Sequence, residues 1–371
     1  MSKSARNIFA ACFLLGGMAL TSCDSMVFDD TADCKQGVAL RFIYDYHMEP
    51  GANAFPANVD CVSLFIFDKD GNFIDHVYET SDDLRSEDYR MELPLEYGDY
   101  HLVAYGGLVC ENPSFDINHD WANSTKLVRH KNDIEVTLPL SDDKISNKKL
   151  HDLEKRTGGL FYGTVDVTVT KEDVREQYRT VTLPMMKDTN NIQIILQELG
   201  DPSQMDYNDY DFTIIDDNFK LDGYNNLIST ATETSQPVYK PYAFENRIMG
   251  YVDYQNRDGA INTEDDTKPV QVACVEFSTS RLLDKNSGNA RLVIKNKPTR
   301  ADEESTTLID IPFITYLEAV RGYGQNWIKD DQEFLDRQSN WTMMFFLQNG
   351  RWVNARISVN AWTVRLNTAS W

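Results

Sequence analysis

The sequence predicts an all-β protein made of two tandem Greek-key β-sandwich domains with few short helices. Apolar residues recur at alternate positions in one segment after another, as they do in strands that bury one face. Many of these positions hold β-branched or aromatic residues, and the 371 residues include 18 Tyr and 18 Phe. Turn residues separate the segments at short intervals, which is typical of sandwiches.

The first series of strands lies in the predicted N-terminal domain, residues 37–177. Val38, Leu40 and Phe42 share one face of its opening strand. A hairpin follows, because Asp70-Gly71 supplies the positive φ of a tight turn. The series contains about seven short strands, the number found in a Greek-key sandwich. Its predicted segments are 38–44, 62–67, 90–95, 100–105, 134–140 and 160–170, together with the hairpin strand that follows Gly71.

The second series lies in the predicted C-terminal domain, residues 178–371. A polar stretch at 141–157 precedes the last strand of the first series and contains one predicted helical turn at 150–155. Asn349-Gly350 predicts a closing hairpin, because this dipeptide favours the two-residue turn between strands. The predicted strands are 180–186, 192–199, 211–215, 270–278, 290–294, 307–311, 341–347 and 351–359, with a short helix at 312–320.

The N-terminus predicts export and a lipid anchor. Lys3 and Arg6 precede an apolar run at 8–20 that is too short to span a bilayer, so residues 1–22 are interpreted as a signal peptide. The run ends in Leu20-Thr21-Ser22-Cys23, which resembles a bacterial lipobox. Cys23 is therefore the expected lipidation site and the expected first residue of the mature chain.

Residues 23–36 are then expected to form a lipidated linker that tethers the protein to a membrane. Several acyl chains hold a protein stably where one does not. The chain has a net charge of −22, with 58 Asp and Glu against 36 Lys and Arg. Such an acidic surface repels phosphate backbones, so nucleic acid is excluded as a partner.

Four cysteines remain after Cys12 leaves with the signal peptide and Cys23 takes lipid. They are Cys34, Cys61, Cys110 and Cys274. Export permits disulfides, and four cysteines allow three complete pairings. A bridge between Cys34 and Cys61 is preferred, because both lie at or before the first predicted strands.

No sequence motif indicates catalysis, a cofactor, a metal or a small-molecule substrate. The chain lacks Gly-x-Ser-x-Gly, a phosphate-binding Gly-x-x-x-x-Gly-Lys loop and His-Glu-x-x-His. The six histidines are scattered singly, and Asp68-Lys69-Asp70-Gly71-Asn72 departs from calcium-loop spacing, which favours a hairpin turn. We therefore expect a protein that is not an enzyme.

The ordered strand segments resemble the FimB-type fimbrial anchor proteins of the type V, lipoprotein-derived fimbriae. The resemblance covers nearly the whole chain. The segments that carry it are the lipobox at Cys23, Leu40-Arg41-Phe42-Ile43-Tyr44-Asp45-Tyr46, Val62-Ser63-Leu64-Phe65-Ile66-Phe67-Asp68, Gly98-Asp99-Tyr100, Tyr105-Gly106-Gly107-Leu108, Leu160-Phe161-Tyr162-Gly163, Trp341-Thr342-Met343-Met344-Phe345-Phe346-Leu347 and the stretch 351–365.

The resemblance implies two transthyretin-like sandwiches and a role in attaching a fimbrial shaft and limiting its length. Related shaft subunits polymerise after a protease cuts at an arginine and releases their first strand. Residues 24–40 contain no arginine, and the first one, Arg41, lies inside a predicted strand. This favours an anchor, in which such a cut would release the lipid, over a shaft subunit.

The expected function is therefore a lipid-anchored protein at the fimbrium base in the outer membrane, which contacts shaft subunits through strand edges. The partner-binding candidates are Arg356, Ile357, Val359 and Trp362 in the C-terminal segment.

Two alternatives stay open. One is a polymerising shaft or tip subunit, which needs an accessible arginine before the first strand. The other is a glycan-binding lipoprotein that uses exposed aromatic residues such as Trp121, Trp327, Trp341 and Trp352. The strand periodicity of Trp341, Trp352 and Trp362 instead predicts core positions.

Overall fold

The computed structural model describes most of the chain after the predicted linker. The described residues are 35–48, 51–111, 113–119, 127–140, 152–175, 178–228, 237–253, 267–321, 327–359 and 362–367. The signal peptide, Cys23, Cys34 and Trp121 lie outside them.

The N-terminal half contains twelve strands and one short α-helix within the described residues. Helix α1 is Phe55–Asn58. The strands are β1 (Lys35–Gln36), β2 (Val38–Ile43), β3 (Val62–Asp68), β4 (Phe73–Glu79), β5 (Met91–Leu93), β6 (Gly98–Gly106), β7 (Asp116–Ile117), β8 (Glu135–Thr137), β9 (Asp152–Leu153), β10 (Phe161–Val169), β11 (Val174–Arg175) and β12 (Arg179–Lys187).

The C-terminal half contributes longer strands and two further helices among its described residues. Helix α2 is Phe313–Glu318 and helix α3 is Asp331–Arg337. The strands are β13 (Thr189–Glu198), β14 (Tyr210–Ile215), β15 (Lys220–Asp222), β16 (Val238–Tyr239), β17 (Ala243–Asp253), β18 (Thr267–Ser280), β19 (Arg291–Asn296), β20 (Thr306–Pro312), β21 (Asn340–Gln348), β22 (Arg351–Val359) and β23 (Trp362–Asn367).

A seven-stranded sheet, ordered β4-β3-β6-β10-β12-β2-β5, forms the first sandwich. β12 and β2 run parallel, and all other neighbours are antiparallel. β10 and β12 pair over only three residue pairs, which marks a corner where the sheet folds over. The core between its two parts includes Leu40 and Phe42 from β2 and Leu64 and Ile66 from β3. The alternation of apolar residues in β2 therefore places them in this core, as predicted.

The second sandwich packs a six-stranded sheet, ordered β17-β18-β13-β21-β22-β23, against a five-stranded sheet, ordered β20-β19-β14-β16-β9. β13 and β21 are parallel. Ile194 of β13 and Phe345 of β21 enter a common core with Ile214 of β14 and Leu292 of β19. Helix α2 closes this core with Phe313 and other apolar residues, and it matches the short helix predicted at 312–320. The all-β fold class with few short helices is confirmed.

The two halves share part of their core. Strand β3 is buried on both faces, with Leu64 and Ile66 inside the first sandwich. Phe65 and Phe67 point the other way, into the large cluster that contains the core of the second sandwich. The apolar run of β3 is continuous rather than alternating because neither face of this strand meets water.

Pairing between the halves also corrects the assignment of several strands. Strand β12 belongs to the first sheet, where it pairs with β2. A second domain that starts at residue 178 would wrongly include this strand. Strand β8 pairs with β15, and β9 pairs with β16, although both strands lie within the predicted N-terminal domain, residues 37–177. The predicted helical turn at 150–155 is wrong for its described part, because β9 is extended there. Local periodicity does not encode such long-range pairing.

The predicted disulfide between Cys34 and Cys61 is wrong, because Cys61 is bonded to Cys110 in the structure. Cys61 directly precedes β3, and Cys110 follows β6 by four residues. These strands are antiparallel neighbours in which Val62 lies opposite Gly106. Their pairing brings the two cysteines to a Cα–Cα distance of 5.5 Å, well within the usual range for a disulfide. Cys274 is a buried free thiol.

Candidate functional site: the six-stranded sheet and its edges

The closing hairpin of the six-stranded sheet forms as the sequence predicts. Asn349 and Gly350 have φ values of 53° and 69°, which suit the two-residue turn between β21 and β22. The backbone N–H groups of both residues donate to the Glu198 carboxylate, each at 3.0 Å. The neighbouring strand β13 therefore fixes the hairpin tip through a charged hydrogen-bond acceptor.

The four partner-binding candidates do not form one exposed group. Ile357 is completely buried in the main core, so in this conformation it cannot form a surface contact. Arg356 is half-buried, with its guanidinium over the Phe346 ring at 5.7 Å. Val359 and Trp362 pair across β22 and β23, and their side chains lie outside the described residues.

Strand β22 is an interior strand, because β21 and β23 pair along its two sides. The register runs from Asn354 opposite Asn367 to Val359 opposite Trp362. The edges of the sheet are thus β23 and, at its other end, β17. Any strand that added to this side of the sheet would meet β23 before β22.

Strand β17 presents a long edge with several exposed apolar side chains. Phe244, Ile248, Met249 and Tyr251 are 50, 54, 55 and 68% exposed. β17 pairs with β18 on one side, and no described strand pairs on its other side. Unpaired strand edges accept further strands, and exposed apolar residues favour such contacts. This strand is the main feature of the site that our sequence reasoning missed.

The outer face of the same sheet has a small apolar cluster under polar side chains. Ile195, Val272, Cys274 and Met344 are buried there, on the face opposite the main core. Across paired strands, Glu245 of β17 lies opposite Cys274 of β18, and Arg356 of β22 lies opposite Met344 of β21. Burial raises the pKa of the Cys274 thiol, which keeps it protonated and poorly nucleophilic.

A polar cavity of about 440 Å³ opens on this sheet near the start of β13. Its lining includes Arg156, Gln193, Tyr242 and Glu276. Tyr242 donates its hydroxyl to the Glu276 carboxylate at 2.8 Å, and the Gln193 amide donates to the same carboxylate at 3.4 Å. These groups offer hydrogen bonds in a concave site, which suits a polar ligand better than an apolar one.

The tryptophans occupy different environments. Trp341 is buried, as predicted, and its indole N–H donates to the side-chain oxygen of Asn190. Trp352 is half-buried and donates to the Asn354 carbonyl at 2.9 Å. Trp327 is 57% exposed, with the Arg337 guanidinium 5.2 Å from its ring. The described tryptophans therefore form no flat exposed row.

The turn at Asp68 is a hairpin turn, as predicted. The Asp68 carboxylate accepts from the backbone N–H groups of Asp70 and Asn72 at 2.9 and 2.8 Å. Across the described residues, no group of three or more His, Cys, Asp or Glu side chains could hold a metal ion. A search of the same part of the chain finds no helix long and apolar enough to cross a membrane.

Comparison with solved structures finds the same fold in proteins of the genus Bacteroides. A candidate adhesin from Bacteroides thetaiotaomicron is 36% identical, with a TM-score of 0.72, over 91% of this chain and all of that one. A candidate polysaccharide-binding protein from the same species is 28% identical, with a TM-score of 0.67 and the same coverage.

A solved fimbrial protein also has this fold. The structure of the fimbrial anchor protein Mfa2 from Porphyromonas gingivalis has a TM-score of 0.58, and it covers 89% of this chain and 99% of that one. At 17% identity, this likeness concerns the fold alone.

The minor fimbrium anchoring subunit Mfa2 of P. gingivalis is 26% identical over 192 residues, 51% of this chain. The match spans 54% of that relative's length, about half of it. The family model for Mfa2, described as fimbrillin-A associated anchor proteins Mfa1 and Mfa2, matches residues 30–368. The chain therefore belongs to this family of fimbrial anchor proteins.

Proposed function

We propose that this chain is an outer-membrane lipoprotein that holds the base of a fimbrium and limits or initiates its assembly by contact with a shaft subunit. Family membership supports the anchoring role. The lipobox at Cys23 supports a lipid tether at the N-terminus. The lipid would then be at one end of the polypeptide, and the contact with the fimbrium would be made elsewhere on the same chain.

The position of β2 is the observation that carries the proposal. This strand lies between β12 and β5 in the first sheet, and Val38, Leu40 and Phe42 are buried. Arg41, the first arginine after Cys23, is a half-buried residue in the middle of this strand. A protease would have to unfold β2 to cut there, which supports a mature chain that keeps its lipid-bearing end.

For the fimbrial contact, we propose that a shaft subunit adds an extended strand to an edge of the six-stranded sheet. β17 offers an unpaired backbone edge and exposed Ile248 and Tyr251 side chains. β23 offers the second edge, beside the C-terminal candidates Arg356, Val359 and Trp362. Backbone hydrogen bonds would supply affinity, and the alternating side chains would supply specificity.

The tether is tested by replacing Cys23. A Cys23→Ala variant is expected to leave the protein soluble in the periplasm and to release fimbriae into the medium. Cys274→Ala is the matched control, because that thiol is buried far along the sequence and takes no part in the proposed anchor. Unchanged fimbrial attachment to Cys23→Ala cells would refute the anchoring role.

The contact surface is tested by charged substitutions on exposed edge residues. Ile248→Lys with Tyr251→Lys on β17 is expected to weaken crosslinking to shaft subunits at least tenfold, because lysine disfavours strand addition. Ile74→Lys with Tyr78→Lys is the control, since these exposed residues lie on β4 at the edge of the first sheet. Equal crosslinking for both double variants would exclude the β17 edge and leave β23.

Glycan binding is a second candidate function. The polar cavity beside Tyr242 and Glu276 favours it, and so does the likeness to the candidate polysaccharide-binding protein. Retention of the protein on immobilised glycans, lost in Tyr242→Ala but kept in Trp327→Ala, would support it. Absence of retention for the wild-type chain would exclude this function for the glycans tested.

A further inference from the structure

One residue, Asp188, joins the two sheets directly. It lies between β12 of the first sheet and β13 of the six-stranded sheet. Its side chain is completely buried, and its backbone N–H donates to the Leu160 carbonyl at 2.7 Å. We call this junction between β12 and β13, centred on Asp188, the joint. A charge at this position would be removed from water, which is unfavourable unless the charge is fully paired.

The main hydrogen-bond partner of Asp188 is the side chain of Asn225. The Asn225 Nδ2 amide donates to Asp188 Oδ1 at 3.0 Å. The other oxygens of the two side chains, Asp188 Oδ2 and Asn225 Oδ1, are both buried, and neither has a hydrogen-bond partner among the described residues. Asn225 is held in place by a left-handed backbone with φ of 62° and by its N–H bond to the Asp222 carbonyl.

A proton on Asp188 Oδ2 that is donated to Asn225 Oδ1 would satisfy both remaining oxygens. A carboxylic acid and a primary amide can form two antiparallel hydrogen bonds, one from the amide N–H and one from the acid O–H. An ionised carboxylate has no O–H to donate, so Asp188 Oδ2 and Asn225 Oδ1 would both remain acceptors without donors. Leaving buried acceptors unpaired is costly, so the protonated pair is favoured.

The charges around Asp188 agree with a neutral carboxyl. Arg281 lies 3.9 Å from Asp188 but forms two hydrogen bonds of 2.8 Å with Asp336 of helix α3. One guanidinium thus faces two carboxylates. Burial raises the pKa of Asp188 to about 7, and Asp336 adds to the rise, whereas Arg281 and the Asn225 amide oppose it. From the first sheet, the Tyr105 and Tyr162 phenols face the same region, and burial also raises the pKa of each.

We propose that Asp188 is protonated in the folded protein and forms a two-hydrogen-bond pair with Asn225, so that the joint is closed in acid and loosens as this proton is lost to solvent. Asp188 comes from the junction of β12 and β13, and Asn225 comes from the turn after β15. Arg281 links this pair to Asp336 of helix α3. The proton thus regulates how firmly the two sandwiches are held together.

The direction of the pH dependence follows from linkage. The carboxyl holds its proton more tightly in the closed joint than in an open one, where its pKa returns to about 4. The joint is therefore most stable below about pH 4 and loses stability as the pH rises to about 7. Protection of the joint amides against hydrogen exchange should fall about tenfold for each pH unit in this range.

Asp188→Asn is the decisive variant, because an Asn side chain can form the same two hydrogen bonds with Asn225 without a titrating proton. Its joint amides, followed in a peptide covering residues 185–192, are expected to stay protected with no pH slope after correction for intrinsic exchange. The wild-type minus Asp188→Asn infrared difference spectrum at about pH 6 should contain a protonated-carboxyl band from Asp188.

Asp216→Asn is the matched control. Asp216 is also completely buried beside an asparagine amide, from Asn286 at 2.9 Å, and burial raises its pKa to about 7. All of these residues lie in the C-terminal half, so this variant should keep the wild-type slope at the joint. An ionised Asp188 at pH 6, or equal slopes in the wild-type protein and Asp188→Asn, would overturn the proposal and indicate that a buried water or ion satisfies these oxygens.

Discussion

Trp341 donates its indole N–H to the side-chain oxygen of Asn190 at 3.1 Å, inside the second sandwich. Both residues are buried, and they come from the parallel strands β21 and β13. The Asn190 amide donates in turn to the Ser280 carbonyl of β18, and Phe334 of helix α3 packs edge-on against the Trp341 ring. This pair therefore connects three strands and a helix around one buried polar group.

Trp341→Phe is expected to lower the free energy of unfolding by about 1–3 kcal/mol, because Asn190 keeps a buried oxygen with no donor. Chemical denaturation measures this change. Trp327→Phe is the control, since that ring is exposed and should change stability by less than about 0.5 kcal/mol. A Trp341→Phe variant as stable as the control would show that this hydrogen bond contributes nothing.

Charged substitutions at Phe42 and Ile357 test the assignment of the strand faces. Phe42→Asp and Ile357→Asp should each destabilise the fold by several kcal/mol, because each places an unpaired charge in a core. Ile74→Asp on the exposed side of β4 should have little effect. If thermal melting were unchanged at Phe42 or Ile357, the inward face of that strand would be wrong.

The Cys61–Cys110 bond predicts a strong effect of reductant. It closes a loop with a sequence separation of 49, for which the chain-entropy estimate of stabilisation is about 4 kcal/mol. Reductant should therefore lower the Tm of the wild-type protein and of Cys274→Ala alike. The double variant Cys61→Ala/Cys110→Ala should start at the lower Tm and be insensitive to reductant. A reductant effect that persisted in the double variant would contradict this pairing.

His76 predicts a loss of stability in acid. Burial, with a smaller effect of the nearby His119, lowers the pKa of His76 to about 3, and its ring contacts the Ser63 hydroxyl at 2.6 Å. A histidine held neutral in the fold contributes full stability above its unfolded pKa of about 6.5 and loses it as the pH falls toward 3. His76→Phe should flatten the pH dependence of unfolding below about 6, whereas a profile identical to the wild type would contradict the assignment.

Local sequence patterns predicted the parts of the fold in which neighbours along the chain decide the structure. Val38, Leu40 and Phe42 alternate toward one core, and Asn349-Gly350 forms the closing turn. Strand β17 was missed because its Glu245–Arg247 ion pair and Gly250 interrupt the apolar pattern. It lies at a sheet edge, where many side chains are exposed and need not be apolar.

Features that depend on long-range pairing could not be predicted in the same way. The partner of Cys61 depends on the registration of β3 against β6, and the sheet membership of β12 depends on its parallel pairing with β2. Ile357 was both a predicted buried position and a partner-binding candidate; its side chain lies in the core, which agrees with the predicted burial and not with a surface contact. The joint at Asp188 likewise brings together residues from distant parts of the chain.

The mass of the N-terminal peptide of the protein recovered with surface fimbriae shows whether an intact lipid-bearing chain anchors the fimbrium. We expect a peptide that begins at an acylated Cys23 and continues without a break through Arg41 into β2. A surface form whose first residue lies at or beyond Phe42 would contradict it, because the lipid and at least four of the six residues of β2 would be gone.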